Sequence, residues 1–301
     1  MAAPREIDQE QGFVEVADRC WVARYEFLDV NVGVVAGDRG LLVVDTHASE
    51  AEARKVVEQV RRLGAGEVVA VVNTHEHFDH CFGNVVFQES YDELQLIAHE
   101  AAVIGLPATG RRLQEEARAD TTDPRHAEIA ATRIVVPDQT FSSAKAIDLG
   151  DRLVELVHPG RGHTAGDAVV RVPEADVLFA GDLVEESAQR CPGWSGGVPG
   201  FGRDSYPLEW QATMDLLLSM LRDSAVVIPG HGLPVDRAFV SAQGDSIGIV
   251  ADTIRHLAGQ GIPLADALTS AQWPYPVEEL VHAVSRGYEH LPRSARSLPL
   301  L

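Results

Sequence analysis

Asn73-Thr74-His75-Glu76-His77-Phe78-Asp79-His80 packs three histidines and an aspartate into its last six residues, and the character of the whole chain follows from that density. The apolar run Val68-Val69-Ala70-Val71-Val72 precedes it directly. Such a run reads as a strand buried on both faces, so the polar cluster stands where that strand leaves the core. Imidazole and carboxylate on a loop at a strand end suit a transition metal such as zinc. Alternate spacing puts His75 and His77 on one side of an extended segment, while Asp79 and His80 reach a neighbouring point. One short loop could therefore serve two ions.

The same arrangement recurs along the chain. Leu153-Val154-Glu155-Leu156-Val157 leads through a Gly- and Pro-containing turn to His163. The run from Ala175 to Ala180 leads through Gly181 to Asp182, and Ala225-Val226-Val227-Ile228 leads through Pro229 and Gly230 to His231. Upstream, Leu41-Leu42-Val43-Val44 ends at Asp45. Turns after buried strands place side chains at the rim of a sheet, where sites are built.

With these five motifs in this order, the chain resembles the metallo-β-lactamase-fold hydrolases over roughly residues 13–235. The matching stretches are Asp45 in Val44-Asp45-Thr46, His75-x-His77-x-Asp79-His80, His163 in Gly162-His163-Thr164, Asp182 in Ala180-Gly181-Asp182, and His231 in Pro229-Gly230-His231-Gly232. The resemblance implies that His75, His77 and His163 hold one zinc. It gives the second zinc to Asp79, His80 and His231, with Asp182 bridging both. Asp45 would be a non-ligand that steadies the metal loops, as ligands need partners behind them. Manganese or iron would suit the same donors. The fold implied is an α/β, αββα four-layer sandwich covering 13–235, with a helical extension at 236–301 packed on it.

Bulk properties narrow the partners. The chain of 301 residues carries 45 acidic against 25 basic side chains, a formal charge of −20. A field of that sign repels nucleic acid and anionic membranes and points to a small-molecule substrate. Cys20, Cys81 and Cys191 are too few and scattered for a disulfide framework. The segment from Met1 to Asp8 has no apolar core, and no later run is long enough to span a bilayer, so a cytoplasmic protein is expected.

Periodicity gives strands near 13–17, 20–25, 30–35, 41–45, 68–72, 94–97, 134–136, 145–149, 152–158, 167–172, 176–180 and 225–228. Ser49 and Glu52 form a capping box for a helix over 49–63 that Gly64 stops. Residues 100–135 read as a solvated helical insert, given the mixed charges of Arg111, Arg112, Glu115, Glu116 and Arg118, with a substrate-contacting lid as the alternative. Further helices are expected at 84–90, 207–221, 237–257, 264–270 and 277–291, and the last three could supply substrate contacts or a homodimer face. Trp194, Phe201 and Tyr206 lie in a long irregular segment that leaves straight from Asp182, and they are expected either to wall the substrate site or only to pin the loop to the fold.

The ligand set implies a hydrolase in which a bridging hydroxide attacks an ester, thioester, lactone or amide carbonyl, with Asp79 managing protons. Water bound to such ions has its pKa lowered to about 7. Zinc β-lactamases of the first type carry Cys where this chain has Asp182, so the resemblance favours the glyoxalase II and lactonase branches over antibiotic cleavage. Two other classes share the motifs: phosphodiesterases or nucleases, which usually need basic surfaces, and mononuclear iron enzymes similar to persulfide dioxygenases.

Overall fold

The computed structural model describes residues 7–9, 11–187 and 197–292. A seven-stranded sheet comes first in the chain: β1 (Val14–Ala17), β2 (Cys20–Arg24), β3 (Asn31–Gly37), β4 (Gly40–Val44), β5 (Val68–Val72), β6 (Gln95–His99) and β7 (Gln139–Phe141), in that spatial order. Its first four strands are antiparallel neighbours, and β4 to β7 run parallel. The second sheet has the order β12 (Val226–His231), β11 (Val177–Glu185), β10 (Val169–Val172), β9 (Leu153–Val157), β8 (Ala144–Asp148). Only its β11–β12 pair is parallel.

Alternation along the strands separates three cores. In β4, Leu42 and Val44 face the other sheet, where they meet Leu156, Val170, Phe179 and Ile228. Leu41 and Val43 point the opposite way, onto Val56, Val57 and Val60 of α1 (Glu50–Leu63) and Val85 of α3 (Asn84–Ser90). In β11, Val177 and Phe179 join the inter-sheet core, while Leu178 and Ala180 pack outward. That outer face is covered by α6 (Trp210–Ser219), α7 (Arg237–Gly259) and α9 (Val281–His290), with α8 (Leu264–Ala267) beside them. Period-two strands apolar on both faces require a layer on each side, and the result is the αββα sandwich.

Local signals hold where they rest on backbone chemistry. Ser49 accepts from the Glu52 amide at 3.2 Å, and Gly64 ends α1 at φ 61°. Only half of the expected box forms, because the Glu52 carboxylate turns to Lys55 at 2.8 Å. The strand expected at 134–136 is absent: Pro137 follows it and cannot donate to a ladder. Ile134 and Val136 instead pack under α4 (Glu100–Ala119) and α5 (Arg125–Ala131), and β7 forms after the proline. Among the described residues no helix is long and apolar enough to cross a membrane.

Candidate metal centre

The two parallel pairs deliver their C-terminal ends to one edge of the sandwich. In the first sheet Val44 lies level with Val72, so Asp45 and the start of the histidine loop emerge side by side. In the second, Gly181 lies level with Pro229, which brings Asp182 beside His231. β11 runs through Asp182 to Glu185, with register breaks on both sides of Gly181. Asn31 ties the sheets together there, donating to the carbonyls of Pro229 and Gly232 at 2.9 and 2.8 Å. The short α2 (Phe78–Cys81) carries Asp79 and His80 inward.

All seven expected ligands converge. His75, His77, His163 and Asp182 form one group and Asp79, His80 and His231 another, each with donor atoms within 4.8 Å of one another. Asp182 stands between them. Its Oδ1 is 3.2 Å from His80 Nε2, and its Oδ2 is 3.3 Å from His231 Nε2 and 3.4 Å from His163 Nε2. Burial works to raise the Asp182 carboxyl, but the histidines around it hold it well below the ordinary carboxylate value. It is therefore an anion.

Hydrogen-bond partners fix where the ring protons sit. Thr74 Oγ1 spends its one proton on Asp45 Oδ2 at 2.9 Å, so towards His75 Nδ1, 3.0 Å away, it accepts. His80 Nδ1 donates to Asp45 Oδ2 at 2.8 Å, and His231 Nδ1 donates to the Leu28 carbonyl at 2.8 Å. His77 Nε2 donates to Asp204 at 3.1 Å. The nitrogens turned to the centre are Nε2 of His75, His80 and His231, and Nδ1 of His77, the atoms a cation would take in place of a proton.

A cation fits these nests. The Nε2 atoms of His80 and His231 face each other at 3.3 Å, and both lie against the Asp182 carboxylate, so a proton or a metal cation must lie among them. His75 Nε2 is buried without a hydrogen-bond partner. Nitrogens sharing a tetrahedral zinc stand about 3.3 Å apart, comparable to the spacings seen.

Three supporting carboxylates carry no motif. Asp204 orients His77. Glu185, at the end of the long apolar strand, has Oε1 3.8 Å from His163 Nδ1 and accepts from the Gly200 amide at 2.9 Å. Asp29 is wholly buried and accepts from Arg24, Gln9 and Ser187. It follows Leu28, and both sit at positive φ, 65° and 55°, a strained turn that aims the Leu28 carbonyl at His231. A fourth acid, Asp167, clamps the His163 turn through Gly162 and Thr164; burial pushes its carboxyl up to about 8 against the pull of those donors.

Beside the metal groups lies a cavity of about 440 Å³, lined by His77, Asp79, Asp182 and His231 and by Leu28, Phe78, Leu113, Arg112, Arg203 and His282 among others. Asp45 does not line it and acts only through Thr74, His75 and His80. The 100–135 segment is not merely a solvated insert, since Thr109, Arg112, Leu113 and Glu116 of α4 form part of the wall. Of the two readings of the loop aromatics, the wall does not hold for Phe201 and Tyr206, and the pin does. Phe201 is buried in the outer core against Trp210, ring centroids 5.2 Å apart, and Tyr206 stacks on His290 and under Arg161. Both pin their loop to the helices, and Trp194 lies outside the described residues.

This constellation on this sandwich matches a known family. The chain belongs to the metallo-β-lactamase superfamily, whose model covers residues 25–231, more than half of it. Members of that superfamily are typically hydrolases. The chain is 25% identical over 207 residues to a metallo-β-lactamase type 2 from Bacillus cereus, spanning 69% of this chain and 68% of that protein. A second such enzyme, from Bacillus sp. (strain 170), is 26% identical over the same shares. Among solved structures, a metallo-β-lactamase from Pontibacter korlensis superposes with a TM-score of 0.59 at 20% identity, covering 78% of this chain and 98% of its own. The stereoselective inverting sec-alkylsulfatase Pisa1 from Pseudomonas sp. superposes at 0.69 with 18% identity, covering 92% of this chain and 49% of its own. A match of 92% is too large to leave out all of the C-terminal helices.

Proposed function

We propose that this chain is a dinuclear zinc hydrolase that cleaves an ester, thioester, lactone or amide carbonyl in a small molecule. The observation that carries the proposal is the pair of nests, each turning imidazole nitrogens inward, on either side of the Asp182 carboxylate. His75, His77 and His163 would hold one ion and Asp79, His80 and His231 the other, with Asp182 touching both. Manganese or iron could occupy the same nitrogen and oxygen donors. When bound, such a pair supplies a Lewis acid and, by lowering the pKa of water to about 7, a nucleophile at neutral pH.

The protein's own residues do the rest. Asp79 lines the cavity with Oδ2 3.3 Å from His231 Nε2, where a carboxylate can take up or release a proton beside the leaving atom. Thr74, Asp45, Asp204 and the Leu28 carbonyl lock the rings, so no reorientation is needed during turnover. Phe78, Leu28 and Leu113 exclude water from one side and offer an apolar seat for carbon. The cavity volume suits a small molecule rather than a polymer, and a formal charge of −20 argues against a nucleic-acid substrate.

The test joins elemental analysis to a panel of chromogenic esters, thioesters, lactones, a β-lactam and a phosphodiester. About two zinc ions per chain are expected. At least one carbonyl class should turn over, and a chelator or Asp79→Asn should abolish it. Faster cleavage of the phosphodiester than of any carbonyl substrate would overturn the proposal, as would one iron and no zinc.

A further inference from the structure

In a chain with 45 acids to 25 bases, most of the described arginines pair with a carboxylate. Arg24, Arg125, Arg152 and Arg161 all make close ion pairs, Arg161 through Nε and Nη2 to Glu209 at 2.9 and 2.7 Å. Arg203 does not. It lines the cavity, is exposed to it, and has no hydrogen bond or ion pair among the described residues. Arg112 reaches into the same cavity from α4 and meets only Asp204, at a loose 3.9 Å, while Asp204 is already engaged by His77 at 3.1 Å. His282, on α9, stands beside them as a neutral ring. Burial and the Arg203 charge both hold its imidazole below the ordinary value, which marks the two as neighbours.

Asp79 and Asp182 sit in the histidine nests and Asp204 is held by His77, so among the described residues no carboxylate of the cavity makes a hydrogen bond or ion pair with Arg203. Between this basic side and the histidine nests lie Leu28, Phe78 and Leu113. The cavity therefore offers three chemistries: two nests for cations, an apolar seat, and unsatisfied guanidinium.

We infer that the substrate carries a carboxylate remote from the bond that is cut, and that Arg203, aided by Arg112, binds it. A guanidinium presents a planar fork of N–H donors that matches a carboxylate through two parallel bonds. Glu116 at the same end favours a singly charged group over a dianion. Arg203 is then a specificity-determining residue, placed on the loop that leaves β11, and the substrate class narrows to acyl compounds with a terminal carboxylate. This rests on the hydrolase proposal for the position of the cut bond, though not for the binding of the anion.

The test uses the zinc-loaded full chain and titration calorimetry with butyrate against succinate, glutarate and adipate, so that chain length is scanned and one carboxylate is added. At least one dicarboxylate should bind tenfold or more tightly than butyrate. Arg203→Glu should remove that preference, with Arg203→Ala intermediate. Arg111→Glu, an equal charge change on an exposed residue of α4 that does not line the cavity, should keep it. Equal affinity for mono- and dicarboxylates in the parent chain, or a preference that survives Arg203→Glu, overturns the inference. Kinetics on paired neutral and carboxylate-bearing esters separate the two proposals. Turnover without any Arg203-dependent preference leaves the hydrolase and removes the subsite. An Arg203-dependent preference without turnover does the reverse.

Discussion

Asp45 shows how much one carboxylate can decide. It sits at φ 65° directly after β4, accepts from the Thr74 amide and hydroxyl, and accepts from His80 Nδ1. In Asp45→Asn the amide oxygen can keep the Thr74 amide, but the new NH₂ then faces two former donors. His80 must move its proton to Nε2, and Thr74 must donate to His75 instead of accepting. Both nests lose a lone pair. A chelator-competition titration should show metal affinity falling about 10–100-fold at both nests; an unchanged titration would remove Asp45 from the account. Asp29→Asn should be selective, because Asp29 acts only on His231 through the Leu28 turn, so one ion weakens and the other stays. Burial works to raise the Asp29 carboxyl, but Arg24, Ser187 and Gln9 hold it below the ordinary value. Its stabilisation is therefore complete above about pH 4 and is lost as pH falls through the lowered value. Measured with chelator present, the gap in Tm between parent and Asp29→Asn should be widest near neutrality and close towards pH 2. A gap that widens in acid would reverse the sign. Asp45 is legible in sequence because it ends an apolar run. Asp29 and Asp204 are not, since each acts on a histidine more than a hundred residues away and has no spacing to betray it.

At the level of elements, strands that run straight into a ligand are read correctly because burial dictates them. β5 is five apolar residues with the histidine loop behind it, and its bounds match the sequence pattern. The 134–136 run has the same apolar look, but Pro137 denies it a ladder partner. In α4 the charged residues obscure a stripe: Thr109, Arg112, Leu113 and Glu116 recur at helical spacing and line the cavity, while Leu106, Gln114 and Ala117 are buried on the other side. That spacing is the signal by which a wall could have been told from a solvated insert. Close approach of elements at the site also depends on Gly230, where an added Cβ would lie 1.8 Å from Asp182 Oδ1. Gly230→Ala must push the Asp182 carboxylate out of the space between the nests. The expected result is loss of metal at both nests, with a stability cost of about 1–3 kcal/mol from overpacking. Far-ultraviolet circular dichroism of the metal-free chain should stay as in the parent. Full metal retention in Gly230→Ala would mean that Asp182 does not sit between the ions.

The whole molecule needs its last helices to be a sandwich at all. The family match ends at residue 231, yet the outer face of the second sheet is covered from both sides of that point. Trp210, Met214 and Leu217 of α6 cover part of Leu178, Ala180 and Val227, and α7 and α9 cover the rest. Val240, Ile247, Val250, Ile254 and Leu257 of α7 are all at most 3% exposed. Burying an apolar side chain of that size contributes about 1.5–3 kcal/mol, so these five alone supply roughly 7–15 kcal/mol as an upper bound. The net stability of a whole domain is only about 5–15 kcal/mol. A chain ended at 235 is therefore expected to lose its fourth layer and its cooperative fold, rather than to survive as a smaller hydrolase. Thermal unfolding of such a chain should show no cooperative transition, and an apolar dye should bind it strongly, even with zinc present. A truncated chain that melts cooperatively and still takes up metal would show the C-terminal helices to be an appendage. It would also cost the cavity His282, which reaches the metal side of the molecule only because α9 is held against α7.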